Sequence, residues 1–187
     1  MIARTPKQSD TVITELMIPA YANFGGKIHG GILLSLMDKV AYACSTKHAG
    51  NYCVTVSVDG VDFIEPVEVG DLVCMMARVN YVGNTSLVVG IKVTSENVKE
   101  RTMKHTNTCY FTMVAKGEDG KPTRVPPLIL EDFLDVKRFG EALFRKELKK
   151  YRLDQMEKNK KDISKSELIR MLKDERCEIN FSIDDTH

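Results

Sequence analysis

The chain has 187 residues, of which 43% are hydrophobic and 28% charged, and its formal net charge is +1. That length suits one domain with chain left over for an extension, and that charge offers nothing for nucleic acid or an anionic membrane surface to recognise. No run of about 18 apolar residues is present to span a bilayer, and the polar opening MIARTPKQSDTVITE has no signal-peptide core, so a cytoplasmic protein is expected. Residues Thr11 to Ile18 alternate weakly and read as a first strand. The stretch PAYANFGG, Pro19 to Gly26, is a loop punctuated by Pro and paired Gly.

From Gly30 to about His48 the chain reads as a helix, ended by Ala49-Gly50-Asn51. Ile32, Leu33, Leu34, Leu36, Met37, Val40, Ala41, Ala43 and Cys44 cover most of its circumference, so it is expected to be buried nearly all round. A narrow line at helical spacing, Gly31, Ser35, Asp38, Tyr42 and Ser45, is small or polar and should face a cleft or another subunit. Four strands follow. Val54, Val56 and Val58 alternate with polar residues in Cys53 to Phe63. Val73, Met75, Ala77, Val79 and Tyr81 share one face, as do Leu87, Val89, Ile91 and Val93, and then Cys109, Phe111 and Met113. Period two repeated this often predicts an antiparallel sheet with one face buried. One buried helix followed by a meander of strands argues a sheet wrapped round that helix, an α+β arrangement.

Near Leu130 the composition changes, which divides the chain into residues 1–130 and a charged helical extension over 131–187. Glu131 to Arg152 reads as helical. A further helix starts at Ser164, where Glu167 completes a capping box. Acids and bases are equal in number beyond Leu130, so the extension is no polybasic membrane anchor.

Asp38 is the first chemical candidate. Three and four residues away stand Leu34, Ser35, Ala41 and Tyr42, which is not a solvated face. A carboxylate there is either a structural acid bonded by Ser35 or Tyr42, or a base made stronger by burial. Gly30 and Gly31 at the helix start present N–H groups that can polarise a carbonyl, and His29 beside them can donate a hydrogen bond or cap the helix. Asn23 is locally an ordinary loop residue, and Gly83-Asn84-Thr85-Ser86 an ordinary hairpin turn whose amides and hydroxyls could meet phosphate. His48, His105 and His187 show no metal-ligand spacing and no Ser-His-Asp arrangement is legible. Five scattered cysteines without a CxxC pair, Cys44, Cys53, Cys74, Cys109 and Cys177, point to buried, reduced thiols.

The run Asn23-Phe24-Gly25-Gly26-Lys27-Ile28-His29-Gly30-Gly31, followed by Met37-Asp38, resembles the hotdog-fold acyl-CoA thioesterases of the acyl-CoA hydrolase family. Val54-Thr55-Val56-Ser57-Val58, Phe63-Ile64-Glu65-Pro66, Val82-Gly83-Asn84-Thr85-Ser86 and Gly120-Lys121-Pro122 continue the likeness, which spans roughly residues 10 to 130. Several ordered motifs over that length are far more specific than a glycine pair and one acid. The resemblance implies a helix wrapped by an antiparallel sheet, homodimers with active sites shared at their interface, and a trimer of dimers, hence a hexamer. It implies a catalytic pair, Asn23 and Asp38, supplied to one site by different subunits. It also implies a turn, Gly83 to Ser86, that meets CoA phosphates. Relatives often carry Arg where this chain has Asn84, a departure that weakens the expected hold on the nucleotide unless a Lys or Arg elsewhere compensates. The expected reaction is hydrolysis of an acyl-CoA thioester to free acid and CoA, with CoA entering only as part of the substrate and no metal or other cofactor. Two alternatives are a hotdog dehydratase or hydratase acting on a 3-hydroxyacyl or enoyl thioester, and a non-catalytic acyl-CoA-binding regulatory module.

Overall fold

The computed structural model describes residues 1–181, apart from the side chains of Lys161 and Asp162. In chain order the elements are β1 (Thr11–Leu16), α1 (Gly30–Ala49), β2 (Cys53–Asp59), β3 (Leu72–Val82), β4 (Ser86–Asn97), β5 (Thr102–Ala115), α2 (Phe133–Asp162) and α3 (Lys165–Met171), with 3-10 turns at Pro6–Ser9 and Pro19–Tyr21. The chain divides into two compact units, Met1–Leu143 and Phe144–His187.

In the first unit, alternation along β3, β4 and β5 builds one wall of the core. Val73, Met75, Ala77 and Val79 share that wall with Leu87, Val89, Ile91, Val93, Cys109, Phe111 and Met113, all buried. The five strands pair antiparallel in the order β1-β3-β4-β5-β2, and α1 lies against them, contacting every strand. Leu33, Leu36, Met37, Val40, Ala41 and Cys44 are among the residues it buries. Each large aliphatic side chain removed from water contributes roughly 1.5–3 kcal/mol. This is the helix-in-sheet arrangement that the resemblance implies.

The ends of α1 are closed by side chains and backbone together. At its start His29 is the N-cap, its Nδ1 accepting the Gly31 N–H at 2.9 Å. At its end Gly50 turns left-handed at φ +71° and its N–H returns to the Thr46 carbonyl. The Arg4 guanidinium then donates to the carbonyls of Lys47 and His48 at 2.8 and 2.7 Å, a cation placed at the negative end of the helix dipole.

Several expectations need correction. The helix is not buried all round: Gly31, Leu34, Ser35, Asp38, Lys39 and Tyr42 form an exposed face, because the sheet covers only one side of it. Ser45 does not belong to that face. It is fully buried, its hydroxyl donating to the Tyr42 carbonyl one turn back. Tyr81 does not share a face with Val79, since the ladder shifts register between them and pairs Tyr81 with Val88. One extra residue, Asn80, reverses the parity of the last residues of the strand, and Tyr81 leaves the core wall to meet the Phe139 ring. The strand from Cys53 stops at Asp59. Its valines are not the buried side: Val56 and Val58 are exposed while Cys53 is buried. The cysteines are free, but only Cys44, Cys53 and Cys109 are buried; Cys74 is half-buried and Cys177 exposed.

In the second unit α2 runs on to Asp162. Ser164 caps α3 as expected, its Oγ accepting the Glu167 N–H at 3.2 Å while Glu167 Oε2 accepts the Ser164 N–H at 3.3 Å. Among the described residues no helix is long and apolar enough to cross a membrane.

Candidate active site

Asp38 stands at the middle of α1 on its exposed face, and Thr55 of β2 points at it. The Thr55 hydroxyl donates to Asp38 Oδ1 at 2.6 Å. Thr55 also touches Met113 Sδ at 3.4 Å, which fixes it on the side of β2 that turns toward the helix. The bonding partners that the sequence suggests, Ser35 and Tyr42, are not the ones found. A hollow of about 350 Å³ opens beside this pair, lined by Asp38, Lys39, Tyr42, Tyr52, Val54 and Thr55. Tyr42 and Tyr52 lie with ring centroids 6.0 Å apart along one wall. Asp38 is exposed in the chain rather than buried, which corrects the expectation drawn from its apolar neighbours.

The two glycines at the start of α1 have separate steric reasons. A Cβ on Gly30 would meet the Phe63 ring at 3.3 Å, and one on Gly31 would meet His29 Nδ1 at 3.0 Å. The aromatic ring and the imidazole thus lie close on the helix start, and a side chain at either glycine would push them back. The hydrogen bond from Gly31 also decides the imidazole's proton. With Nδ1 accepting, the neutral ring carries its hydrogen on Nε2. The Gly31 N–H is accordingly engaged, whereas the Gly30 N–H, at the first position of the helix, has no intrahelical acceptor.

Asn23 is held by its own loop. Its Oδ1 accepts the N–H groups of Gly25 and Lys27 at 2.9 and 3.2 Å, and its backbone N–H donates to the Lys27 carbonyl at 2.7 Å. With the carbonyl end occupied, the amide nitrogen is the end left to donate. Asn23 is not in the wall of the Asp38 hollow, and among the described residues no hydrogen bond joins the two. Next to it Phe24 is fully exposed, as are large parts of Tyr52, Val56 and Phe63. These apolar side chains lie at or near the open edge of β2, a kind of surface that marks candidate interaction sites.

The hairpin turn is tied down by its carbonyls. Gly83 N–H donates to Ser86 O at 2.7 Å, Ala115 N–H to Thr85 O at 3.0 Å and Val125 N–H to Asn84 O at 3.0 Å. His48 is buried, its Nε2 hydrogen-bonded to the Pro126 carbonyl at 2.9 Å. His187 lies outside the described residues. Among those residues no cluster of His, Cys, Asp and Glu suits a metal ion. Thr55 is the site residue that sequence reasoning passes over. Its only signal is a hydroxyl between two valines, shared with Ser57, in a strand where alternation assigns the valines to the inward side.

Comparison with known proteins bears on this site. Residues 25–102 match the model of the thioesterase superfamily. Protein VdlD of Helicobacter pylori is 49% identical over 145 residues, 78% of this chain and 83% of that protein. The acyl-CoA thioester hydrolase YciA of Escherichia coli is 40% identical over 124 residues, 64% of this chain and 92% of its own. Among solved structures, an apo-hexameric acyl-CoA thioesterase superposes with a TM-score of 0.78 at 33% identity, covering 82% of this chain and 98% of that one. The acyl-CoA hydrolase of Staphylococcus aureus, solved with butyryl coenzyme A, gives 0.76 at 28% identity over 85% of this chain and 97% of that chain. The same enzyme has been solved with an Asn, an Asp or a Thr replaced by Ala.

Proposed function

Because the chain belongs to the thioesterase superfamily and is a thioester hydrolase of the hotdog fold, we propose that it cleaves acyl-CoA to a free acid and CoA, with Asp38 as general base. The observation that carries this reading is the Thr55–Asp38 hydrogen bond at the mouth of an open hollow. The Staphylococcus aureus variants support it. In that enzyme the replaced Asn precedes the replaced Asp by fifteen positions and the replaced Thr follows it by seventeen, the separations of Asn23, Asp38 and Thr55 here.

The thioester carbonyl lies against the start of α1, polarised by the Gly30 N–H and the Nε2–H of His29. Gly31 joins them only if its N–H leaves His29. A donor of this kind is typically worth about 10²–10³ in rate. Asp38 takes the proton of the attacking water, worth on the order of 10²–10⁴, and the Thr55 hydroxyl fixes which carboxylate oxygen faces it. Asn23 comes from a second copy of the chain, its amide nitrogen orienting the water or the carbonyl. That copy covers β2 and the exposed face of α1, and three such dimers assemble into a hexamer, as hexameric relatives suggest. The turn Gly83 to Ser86 meets the CoA phosphates. These steps draw on side chains and backbone amides alone, without a metal or further cofactor. A dehydratase would need His29 as a base, but its Nδ1 is engaged by Gly31.

Thiol release from acyl-CoAs of increasing chain length tests the reading. Wild type should release CoA, and Asp38→Ala and Asn23→Ala should each lose at least about 100-fold. No release at any chain length would sink the hydrolase. Tight acyl-CoA binding without release would favour a binding module instead.

A further inference from the structure

The face of the sheet turned away from α1 carries a hollow of about 700 Å³, lined wholly by residues of the first compact unit. Val73, Met75, Ala77 and Val79 are buried on the core side of β3, so alternation puts Met76 and Arg78 on the other. Two cross-strand rows lie next to each other there, Val12–Met76–Lys92–Thr108 and Arg78–Gly90–Tyr110. Leu134, Lys137, Arg138 and Glu141, one face of the first turns of α2 by their spacing, form the opposite wall.

Gly90 leaves the second row without a side chain, and Asn80, the extra residue at the register shift, lies across the gap. A Cβ on Gly90 would meet its Nδ2 at 2.3 Å. Asn80 lines the hollow and is only 8% exposed, yet among the described residues its carboxamide has no hydrogen-bond partner. A buried amide left unpaired is costly, so its partner is to be sought in whatever fills the hollow.

Nor do the charges around it cancel. Arg78 is held by Asp10, its Nε donating to Oδ1 at 2.6 Å, and Asp135 Oδ1 lies 3.6 Å from its Nη1. Lys137 and Glu141 stand 3.9 Å apart one turn along α2. That leaves Lys92 and Arg138, which pair with no carboxylate among the described residues. Lys92 is the next outward residue of β4 after Gly90, and so the next side chain along from the Asn80 carboxamide.

We infer that this hollow binds a fatty carboxylate. The acidic head lies among Arg138, Lys92 and the Asn80 N–H, and the chain lies on Val12, Met76 and Leu134. A guanidinium fork matches the two oxygens of a carboxylate, and the apolar side chains take the tail out of water. The site is on the sheet face opposite α1, apart from Asp38 on that helix. Thioester hydrolysis releases acids of this class, a link that rests on the proposed activity, whereas the site itself does not.

The chain contains no tryptophan, so Val12→Trp places a single fluorophore in the wall of the hollow. Decanoate titrated below its micellar concentration should give a saturable blue shift, and 1-decanol or acetate at equal concentration none. In that background Arg138→Ala should weaken decanoate binding about 10-fold or more. Asn80→Asp, which sets an acid against the head, should do the same, and Arg138→Lys should recover part of the loss seen with alanine. Calorimetry on the chain without the fluorophore should show the same binding event retained in Asp38→Ala and lost in Arg138→Ala. Equal affinity for decanol and decanoate, no saturable binding by either measurement, or wild-type binding by Arg138→Ala overturns the inference and leaves the hydrolase intact. Arg138-dependent decanoate binding by a wild type that cleaves no thioester would overturn the hydrolase instead and uphold the site.

Discussion

The Thr55 hydroxyl, donating to Asp38 Oδ1 at 2.6 Å, joins an edge strand to the middle of the central helix. A donor to an ionised carboxylate makes a short, strong bond, and here it leaves the second carboxylate oxygen for water. Thr55→Val keeps the shape and removes the donor, so kcat should fall about 10-fold, with Thr55→Ser recovering most of it. Combined with Asp38→Asn, Thr55→Val should cost nothing further. Equal additional loss in both backgrounds would show that Thr55 acts apart from Asp38.

Gly31→Ala should separate activity from stability. Its Cβ would sit 3.0 Å from His29 Nδ1, displacing the imidazole that caps the helix and presents Nε2–H. Alanine is otherwise the better helix former by about 1 kcal/mol. The expected outcome is a melting temperature within a few degrees of wild type and a loss of kcat of about 10-fold or more. Steady-state kinetics beside thermal unfolding would check it.

Gly90→Ala should do the reverse. A Cβ there would lie 2.3 Å from Asn80 Nδ2, so the amide of Asn80, buried at the register shift, has to be displaced. Overpacking of this kind typically costs about 1–3 kcal/mol, read as a lowered denaturation midpoint. The double variant Gly90→Ala/Asn80→Ala should recover much of the loss, because the clash has one partner.

His48 makes stability depend on pH. Burial pushes its imidazole below the ordinary value of 6.5; the Pro126 carbonyl opposes the shift, and the Arg4 charge adds to it. The unfolded chain then takes up a proton that the folded chain refuses. Stability from this residue is complete above about pH 6.5 and declines as pH falls below it. His48→Gln, which can still donate to Pro126, should flatten that decline in melting temperature between pH 7.5 and 5.5.

The helix ends were readable because each carries local chemistry, a glycine pair at one end and Gly50 at the other. The core walls of β3, β4 and β5 were readable because their alternation runs uninterrupted for several residues. What failed was parity. A single extra residue at Asn80 sends Tyr81 outward, and no composition marks it. β2 misled for a related reason: a run of valines signals a buried face, yet here the valines lie outside and a threonine faces in. The Asp38 environment was inferred from its own helix, while its partner came from a strand seventeen positions on. Neither the Thr55 bond nor the tie of Val125 to Asn84 can be seen along one element, since both arise where distant segments meet.

The ties made by Arg4 set an order of events during synthesis. Its guanidinium holds the last carbonyls of α1, while its own backbone donates to Pro127 and accepts from Ile129. A ribosome that has delivered the helix and all five strands has therefore not yet delivered the clasp. Until position 129 emerges, the Arg4 backbone lacks both of its partners, and its side chain alone ties the first residues to the end of α1. Contacts so distant in sequence close late. A stall or truncation just short of that point should leave a sheet and helix already built but easily pried apart.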